Sequence, residues 1–583
     1  MNAKKKVTIR QVLTWGMAAV LAGACAFSTV KLLILGLNVD EEYAVTMGWR
    51  IAGGEHMFTE LWEPHQTSAF VCAALIRLHT AMAGSMNGMV LFLRCCGMFI
   101  GMAVSVYVWR TLRRFSDEAT GVLCGLIAFA ALPKMTLIPE FSNLLYWGSL
   151  CCIMSLLQYQ IQLKHDAAGF CVVIGACFMC VCVLAYPSSL IAFVCILFCL
   201  HRLYGRDQKY SVPIFITTCI IIGSVYLIYF LAKVAPGGLA YGVRQMMTDG
   251  THSDTALQKL AFYGREVLTW LPILGGLAVG TGIVCVTARR KSLRFACAVL
   301  TAGSLLYQIV YWFVGDHPYL MTPMLFYYTA YVTGLIFLVR GMKDRSAKPA
   351  EPADAAAANG VFSPERVGLL LGMLPSAAFW LSAMLLTNTG LRPTGAFLIP
   401  GVIVSIGIAG GGAAAEGKEG AAPGKTRNAL FAVGTLFLLT LMISRCWFVY
   451  ENHGYKADIF FVKQKALSGT ARNIYCRYLD GYDYNTAAEL LGQYGSSEES
   501  LLVAAPHSLW YTLSPCKVGT YSTISTPVFD HRLTEYWEAF PDRYPDYVIG
   551  YAGSEELEAV SKELPLGEVL AEKDGLALYR IDS

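Results

Sequence analysis

The chain has 583 residues, 55% of them hydrophobic and only 15% charged, with mean hydropathy +0.50 and a net charge of +4. A soluble domain carries about 25% charged residues, so this deficit excludes one large soluble core and indicates many bilayer-spanning helices. The small net charge and the lack of a basic run interleaved with aromatics exclude a nucleic-acid-binding protein.

The chain opens with a basic "MNAKKK" followed by a long apolar run. That run is too long for a signal-peptide core and no small-x-small site closes it, so it reads as a retained first span. Further apolar runs follow near 87–109, 120–137, 143–163, 167–186, 188–201, 211–231, 266–287, 295–314, 322–339, 367–386, 394–410 and 429–449, which with 12–37 predicts about thirteen spans. With the N-terminus in the cytoplasm, the inner loops hold basic clusters such as Arg110/Arg113/Arg114, Arg289/Arg290/Lys291/Arg294 and Arg340/Lys343/Arg345. The short outer loops, read as "IPEFSN", "YPSS", "GDHPYLM" and "TNTGLRP", hold only Arg392. This asymmetry sets the orientation, in a cell (plasma or inner) membrane. To keep it, the apolar stretch 66–84 must lie in the outer interface as an amphipathic helix, making 38–86 one large extracytoplasmic loop.

Two Ala/Gly/Pro-rich stretches, 341–366 and 411–428, read as cytoplasmic linkers. The second contains "PGKT", but Glu419 stands where a phosphate loop needs glycine, so it is not a nucleotide site. From 450 to 583 the composition becomes soluble. "SLLVAAPH", "KVGTYSTIS", "DYVIGYA" and "LALYRID" read as strands, "NTAAELLGQYG" and "SEELEAVSKEL" as helices. The alternation predicts a small α/β domain, extracytoplasmic by parity. Most of the 19 cysteines lie in apolar runs and read as helix packing, while Cys476 and Cys516 in the polar region are left open as a pair or as free thiols.

Chemistry concentrates after the first span. Asp40, Glu41 and Glu42 sit at its outer mouth, followed within a short distance by Arg50, His56, the aromatics Trp49, Phe58 and Trp62, and "EPHQ". As scaffold, the acids simply start a helix, where negative charge suits the dipole. As a site, they supply a proton acceptor beside a cation and headgroup-level aromatics, which suits a lipid-linked phosphate substrate.

The stretch "VDEEYAVTMGWRIAGGEHMFTELWEPHQ" resembles the first extracytoplasmic loop of the GT-C-type membrane glycosyltransferases, in particular the bacterial relatives of aminoarabinose transferase and protein O-mannosyltransferases. The residues carrying the likeness are Asp40-Glu41, Tyr43, Trp49-Arg50, Gly53-Gly54 and Trp62-Glu63-Pro64-His65. The resemblance implies a polytopic GT-C-like helical fold of about thirteen spans with the C-terminal α/β domain appended. It also implies transfer of a sugar from a polyprenyl-phosphate donor to an outer-face acceptor, either a lipid-linked glycan, a cell-wall polymer or a protein. Asp40 is then the expected general base, with Glu41 as alternative or helper, and Arg50, His65, His317 and Tyr319 are candidate contacts for the donor phosphate. Relatives often carry a cation-holding acid where this chain has Asn143, with Glu140 three residues earlier, so a divalent cation as cofactor stays open and no metal ligand is assigned. "QTS" after His65 likewise replaces a Pro-rich tripeptide. A transporter or flippase, or a non-catalytic binder of polyprenyl-linked glycans, is the rival reading; a transporter would show repeated halves and charges at mid-bilayer depth.

Overall fold

The computed structural model describes residues 9–134, 136–163, 168–204, 210–233, 236–247, 257–268, 324–346, 362–386, 390–411, 434–435, 438–439, 441–442, 445–449, 457–458, 462–524 and 531–581. The expected spans 266–287 and 295–314 lie essentially outside these residues, as do His317 and Tyr319. Among the described residues seven helices are long and apolar enough to cross a membrane.

The first span, α1 (Ile9–Ile34), leads directly to α2 (Val39–Gly53). Asn38 starts α2 by accepting the Asp40 N–H at 2.8 Å, which satisfies one of the orphan donors of the first turn, and the acids at 40–42 complement the positive end of its dipole. A one-turn helix at Gln66–Ser68 then feeds α3 (Ala69–Ala83), the helix expected in the interface, which packs along α2. The bundle continues with α4 (Met89–Leu112), α5 (Glu118–Ala130), α6 (Phe141–Ile161), α7 (Ala168–Ala185), α8 (Leu190–Tyr204) and α9 (Ser211–Lys233). The central helix is α6, nearly all of whose residues are buried, whereas α9 leaves most of its side chains exposed on the outside of the bundle. Beyond the short α10 (Pro236–Met247) come α11 (Met324–Ser346), α12 (Leu374–Leu386, entered through a π-helical turn at Gly368–Met373) and α13 (Ile399–Gly411). The helix α11 runs to Ser346 and a helical turn starts at Pro364, so both ends of the linker expected at 341–366 are helical.

One boundary matters for function. The apolar run 120–137 predicts a helix through Leu137, but α5 stops at Ala130, ahead of Pro133, whose ring and missing N–H cannot continue a helix. Residues 131–134 and 136–140 therefore form a loop, so Lys134 belongs with the loop read as "IPEFSN" and not with the span before it. The Asn143 amide pins that loop by donating to the Thr136 and Ile138 carbonyls at 3.1 and 2.8 Å. The loop also lies flat on α4 at Gly97: a Cβ there would meet the Leu137 carbonyl at 1.6 Å, so no larger residue fits.

The C-terminal region builds a five-stranded sheet in the order β6-β5-β7-β9-β8. Its strands are β5 (Ser500–Ala504), β6 (Lys517–Val518), β7 (Tyr547–Tyr551), β8 (Leu566–Lys573) and β9 (Leu576–Ile581). Short antiparallel pairs precede it, β1 (Phe448–Val449) with β2 (Ala457–Asp458) and β3 (Val462–Lys465) with β4 (Tyr475–Arg477). The strands β6, β5 and β7 run parallel, while β9 and β8 add antiparallel. Three helices accompany the sheet, α14 (Tyr478–Leu491), α15 (His531–Ala539) and α16 (Glu555–Glu563). Cys476 and Cys516 are both buried and are not joined in a disulfide.

This domain is bolted onto the first loop. Thr46 donates to the Ser508 carbonyl at 2.9 Å, Glu42 accepts the Leu509 N–H at 3.3 Å, and Glu63 accepts the Thr523 N–H at 3.0 Å. Trp62 completes the seam: its N–H reaches the Tyr521 carbonyl, and its ring packs against Tyr521, Tyr536 and Tyr241. The loop and the C-terminal domain therefore share one side of the helical bundle.

Candidate functional site

Of the three acids at the mouth of α1, Asp40 alone keeps appreciable access to solvent. Its side chain is 21% exposed, against 1% for Glu41 and 3% for Glu42. Helical geometry explains the separation, because successive residues point about 100° apart and only one of three can face the open side. Glu41 is wrapped by the Arg94 guanidinium of α4, whose Nε lies 2.7 Å from Oε1 while other N–H groups reach the Leu33 and Gly36 carbonyls at the end of α1. That arrangement fastens α1, α2 and α4 together. Glu42 faces the C-terminal domain, with its Oε1 4.0 Å from His507 Nδ1.

Asp40 meets Lys134 from the 131–140 loop, with Nζ 2.9 Å from Oδ2. The same ammonium sits 4.1 Å from the centre of the Phe141 ring, and His65 stacks on that ring at 4.1 Å with only 7° between the planes. His65 Nδ1 lies 3.2 Å from the Ala185 carbonyl, which assigns the proton of a neutral ring to Nδ1. Its backbone is held at φ 60°, ψ 7°, in the left-handed region that costs a non-glycine residue free energy and is retained mostly where function requires it. Glu140 completes the group. It caps α6 by accepting the Ser142 and Asn143 N–H groups at 2.8 and 2.9 Å. Burial pushes its carboxyl up to about 7; Lys134 and the two N–H groups pull it down, and Asp40 pushes it further up.

Arg50 belongs to a different neighbourhood, at the other end of α2. It is wholly buried, with Nε 2.6 Å from Glu55, Nη1 3.0 Å from Glu63 and Nη2 3.1 Å from the Glu60 carbonyl. Burial works against its charge, but Glu55, Tyr536 and Glu63 outweigh it and hold the guanidinium more firmly charged than usual. Burial likewise pushes the Glu63 carboxyl up, against the pull of Arg50. All three guanidinium nitrogens are engaged within the protein, so Arg50 ties the loop together where a phosphate ligand was expected.

The structure thus brings together two of the sequence candidates, Asp40 and His65, and adds Lys134 and Glu140. Lys134 was concealed by its apolar neighbours, although Pro133 before it and Pro139 after it mark a loop. Among the described residues no group of three His, Cys, Asp or Glu side chains is arranged to hold a metal ion. A divalent cation between Asp40 and Glu140 would have to displace the Lys134 ammonium and would find one carboxylate already capping a helix, so the donor set does not fit one.

No family model and no curated protein matches the sequence. Among solved structures, 98% of the chain aligns with 74% of the Archaeoglobus fulgidus oligosaccharyltransferase tethered to an acceptor peptide, at 12% identity and a TM-score of 0.46. ArnT from Cupriavidus metallidurans bound to undecaprenyl phosphate aligns over 97% of this chain and 98% of its own, at 13% identity and a TM-score of 0.42. The A. fulgidus enzyme in complex with Zn and sulfate aligns over 94% of this chain and 68% of its own, at 12% identity and a TM-score of 0.42.

Proposed function

We propose that this chain is a polytopic cell-membrane glycosyltransferase that moves a sugar from a polyprenyl-phosphate donor to an acceptor hydroxyl, with Asp40 as the general base. The N-terminus would lie in the cytoplasm and the C-terminal domain outside. The observation that carries the reading is Asp40, the accessible one of the three acids that follow α1, paired with the Lys134 ammonium, which shares the Phe141 ring with a strained His65. It joins the likeness of residues 39–66 to the GT-C first loop.

The chemistry follows from that placement. A neutral hydroxyl is a weak nucleophile, and a positioned carboxylate that removes its proton accelerates attack by about 10²–10⁴. As the acceptor oxygen bonds to the anomeric carbon, the bond from that carbon to the phosphate oxygen breaks and polyprenyl phosphate leaves with one further negative charge. Lys134 is the cation positioned to meet that charge while it orients Asp40. His65, held on Phe141, offers the second polar contact to the phosphate. Glu41 supports Asp40 indirectly by fixing the start of α2 through Arg94.

The experiment is turnover in bilayer nanodiscs. Full-length protein receives a panel of polyprenyl-phosphate monosaccharides and a crude envelope acceptor, and free polyprenyl phosphate is followed by mass spectrometry. Acceptor-dependent release is the expected result. Tight binding of a donor that is never cleaved, with acceptor present, would replace the enzyme by a lipid-binding protein.

A further inference from the structure

Away from Asp40, a cavity of about 410 Å³ opens between the C-terminal end of α2, the helix α3 and the end of α9. Its walls include the aromatics Phe70, Tyr229 and Phe230, and its rim carries Arg77 and Lys233. Glu55 and His56 also line it, but Glu55 is bridged by Arg50 and Arg543, and His56 Nδ1 lies 3.0 Å from Glu60. The acidic charge at the rim is therefore compensated, whereas the two basic groups are not. Arg77 uses Nε and Nη2 on the Ala52 and Ile51 carbonyls at the end of α2, which leaves Nη1 uncommitted, and Lys233 is exposed with no partner among the described residues.

Tyr229 of the cavity wall lies one helical turn beyond Val225, and the neighbouring outward face of α9 carries Ile221, Val225 and Ile228, which are 58%, 64% and 66% exposed. Such a face suits lipid chains, and the aromatic cluster of Phe70, Tyr226, Tyr229 and Phe230 at its end marks headgroup depth. Phe230 also meets Phe58 of the first loop, so the cavity lies on the side of the bundle that carries the C-terminal domain.

From this combination we infer that the α3–α9 cavity is a binding site for an anionic, phosphate-bearing lipid of that leaflet. The headgroup phosphate sits between Arg77 and Lys233, and the chains lie along α9. A lysine that merely snorkels at a helix end needs no cavity beside it; here the two uncompensated cations line the hollow, and an exposed apolar face lies on the same helix. The same chemistry could come from a bulk phospholipid or from a polyprenyl phosphate, and the site is independent of the transferase reading.

The test uses the full-length protein in phosphatidylcholine nanodiscs containing a photoactivatable phosphatidylglycerol, with cross-links mapped by mass spectrometry. Labelling of the segments 70–77 and 226–233 is expected, suppressed by excess unlabelled anionic lipid and not by phosphatidylcholine. Unlabelled phosphatidylglycerol must compete; polyprenyl phosphate competing at a lower mole fraction identifies it as the source, and competing only at an equal or higher one identifies the bulk phospholipid. Lys233→Ala is expected to weaken labelling about fivefold, and Ala74→Trp, which fills the cavity, to abolish it in protein with an unchanged melting temperature. Equal competition by phosphatidylcholine, or wild-type labelling of Lys233→Ala, would overturn the inference.

Discussion

The two ends of α2 carry the same residue types to opposite ends. At its start Asp40 pairs with Lys134 and remains 21% exposed, with Glu140 and His65 close by. At its finish Arg50 pairs with Glu55 and Glu63, and its side chain has no exposure at all. An ion pair open on one side can exchange its partner for a substrate group at small cost, because water already solvates both charges. A sealed pair cannot, since removing either partner strands a desolvated charge. Accessibility and saturation, rather than residue identity, separate the chemical end of the helix from the structural one.

That contrast can be broken first at Arg50. Arg50→Ala should cost about 3–5 kcal/mol of stability by leaving Glu63 buried without its cation, read as a large drop in melting temperature. A donor-binding Arg50 would instead raise KM and leave the melting temperature unchanged.

The Asp40 end can be sharpened through Glu140. Its carboxyl is raised from 4.5 to about 7, so the folded state holds this proton more tightly than the unfolded chain. The resulting stabilisation is fully present below pH 4.5 and is lost as pH rises through 7. Over that window it amounts to about 3 kcal/mol. The melting temperature of the wild type should therefore fall across the window, and that of Glu140→Gln should stay flatter. Parallel profiles would remove Glu140 as the titrating group.

Smaller effects are expected at the seam to the C-terminal domain. Arg543 reaches Glu55 at 2.9 Å and Glu60 at 3.3 Å, and Arg543→Ala should cost about 1.5–3 kcal/mol. Thr46→Val removes one hydrogen bond to the Ser508 carbonyl and should cost about 1 kcal/mol. Hydrogen exchange at residues 508–523 should increase in both variants, more in the first.

How far the sequence could be read follows the same division. The membrane class, the helix α3 and the core strands at 500–504, 547–551 and 576–581 are encoded by runs of like residues, which a chain displays locally. The strand β8 escaped because its sequence, "LGEVLAEK", mixes charge into an edge position. Asp40 and His65 stood out by type and spacing. The ion pairs of Arg50 were not legible, because the Glu55 and Glu63 that surround it come together only when the loop folds back on itself. Lys134 was lost to a helix boundary, since hydropathy carried α5 past the proline that ends it.

The measurement that bears most directly on the account is single-turnover release of polyprenyl phosphate by Asp40→Asn beside wild type, in nanodiscs, with the melting temperatures of both recorded. The account predicts a loss of about 10²–10⁴ in rate with an intact fold, because the amide cannot accept the acceptor proton. Release at the wild-type rate from the folded variant would contradict it and remove Asp40 from the chemistry.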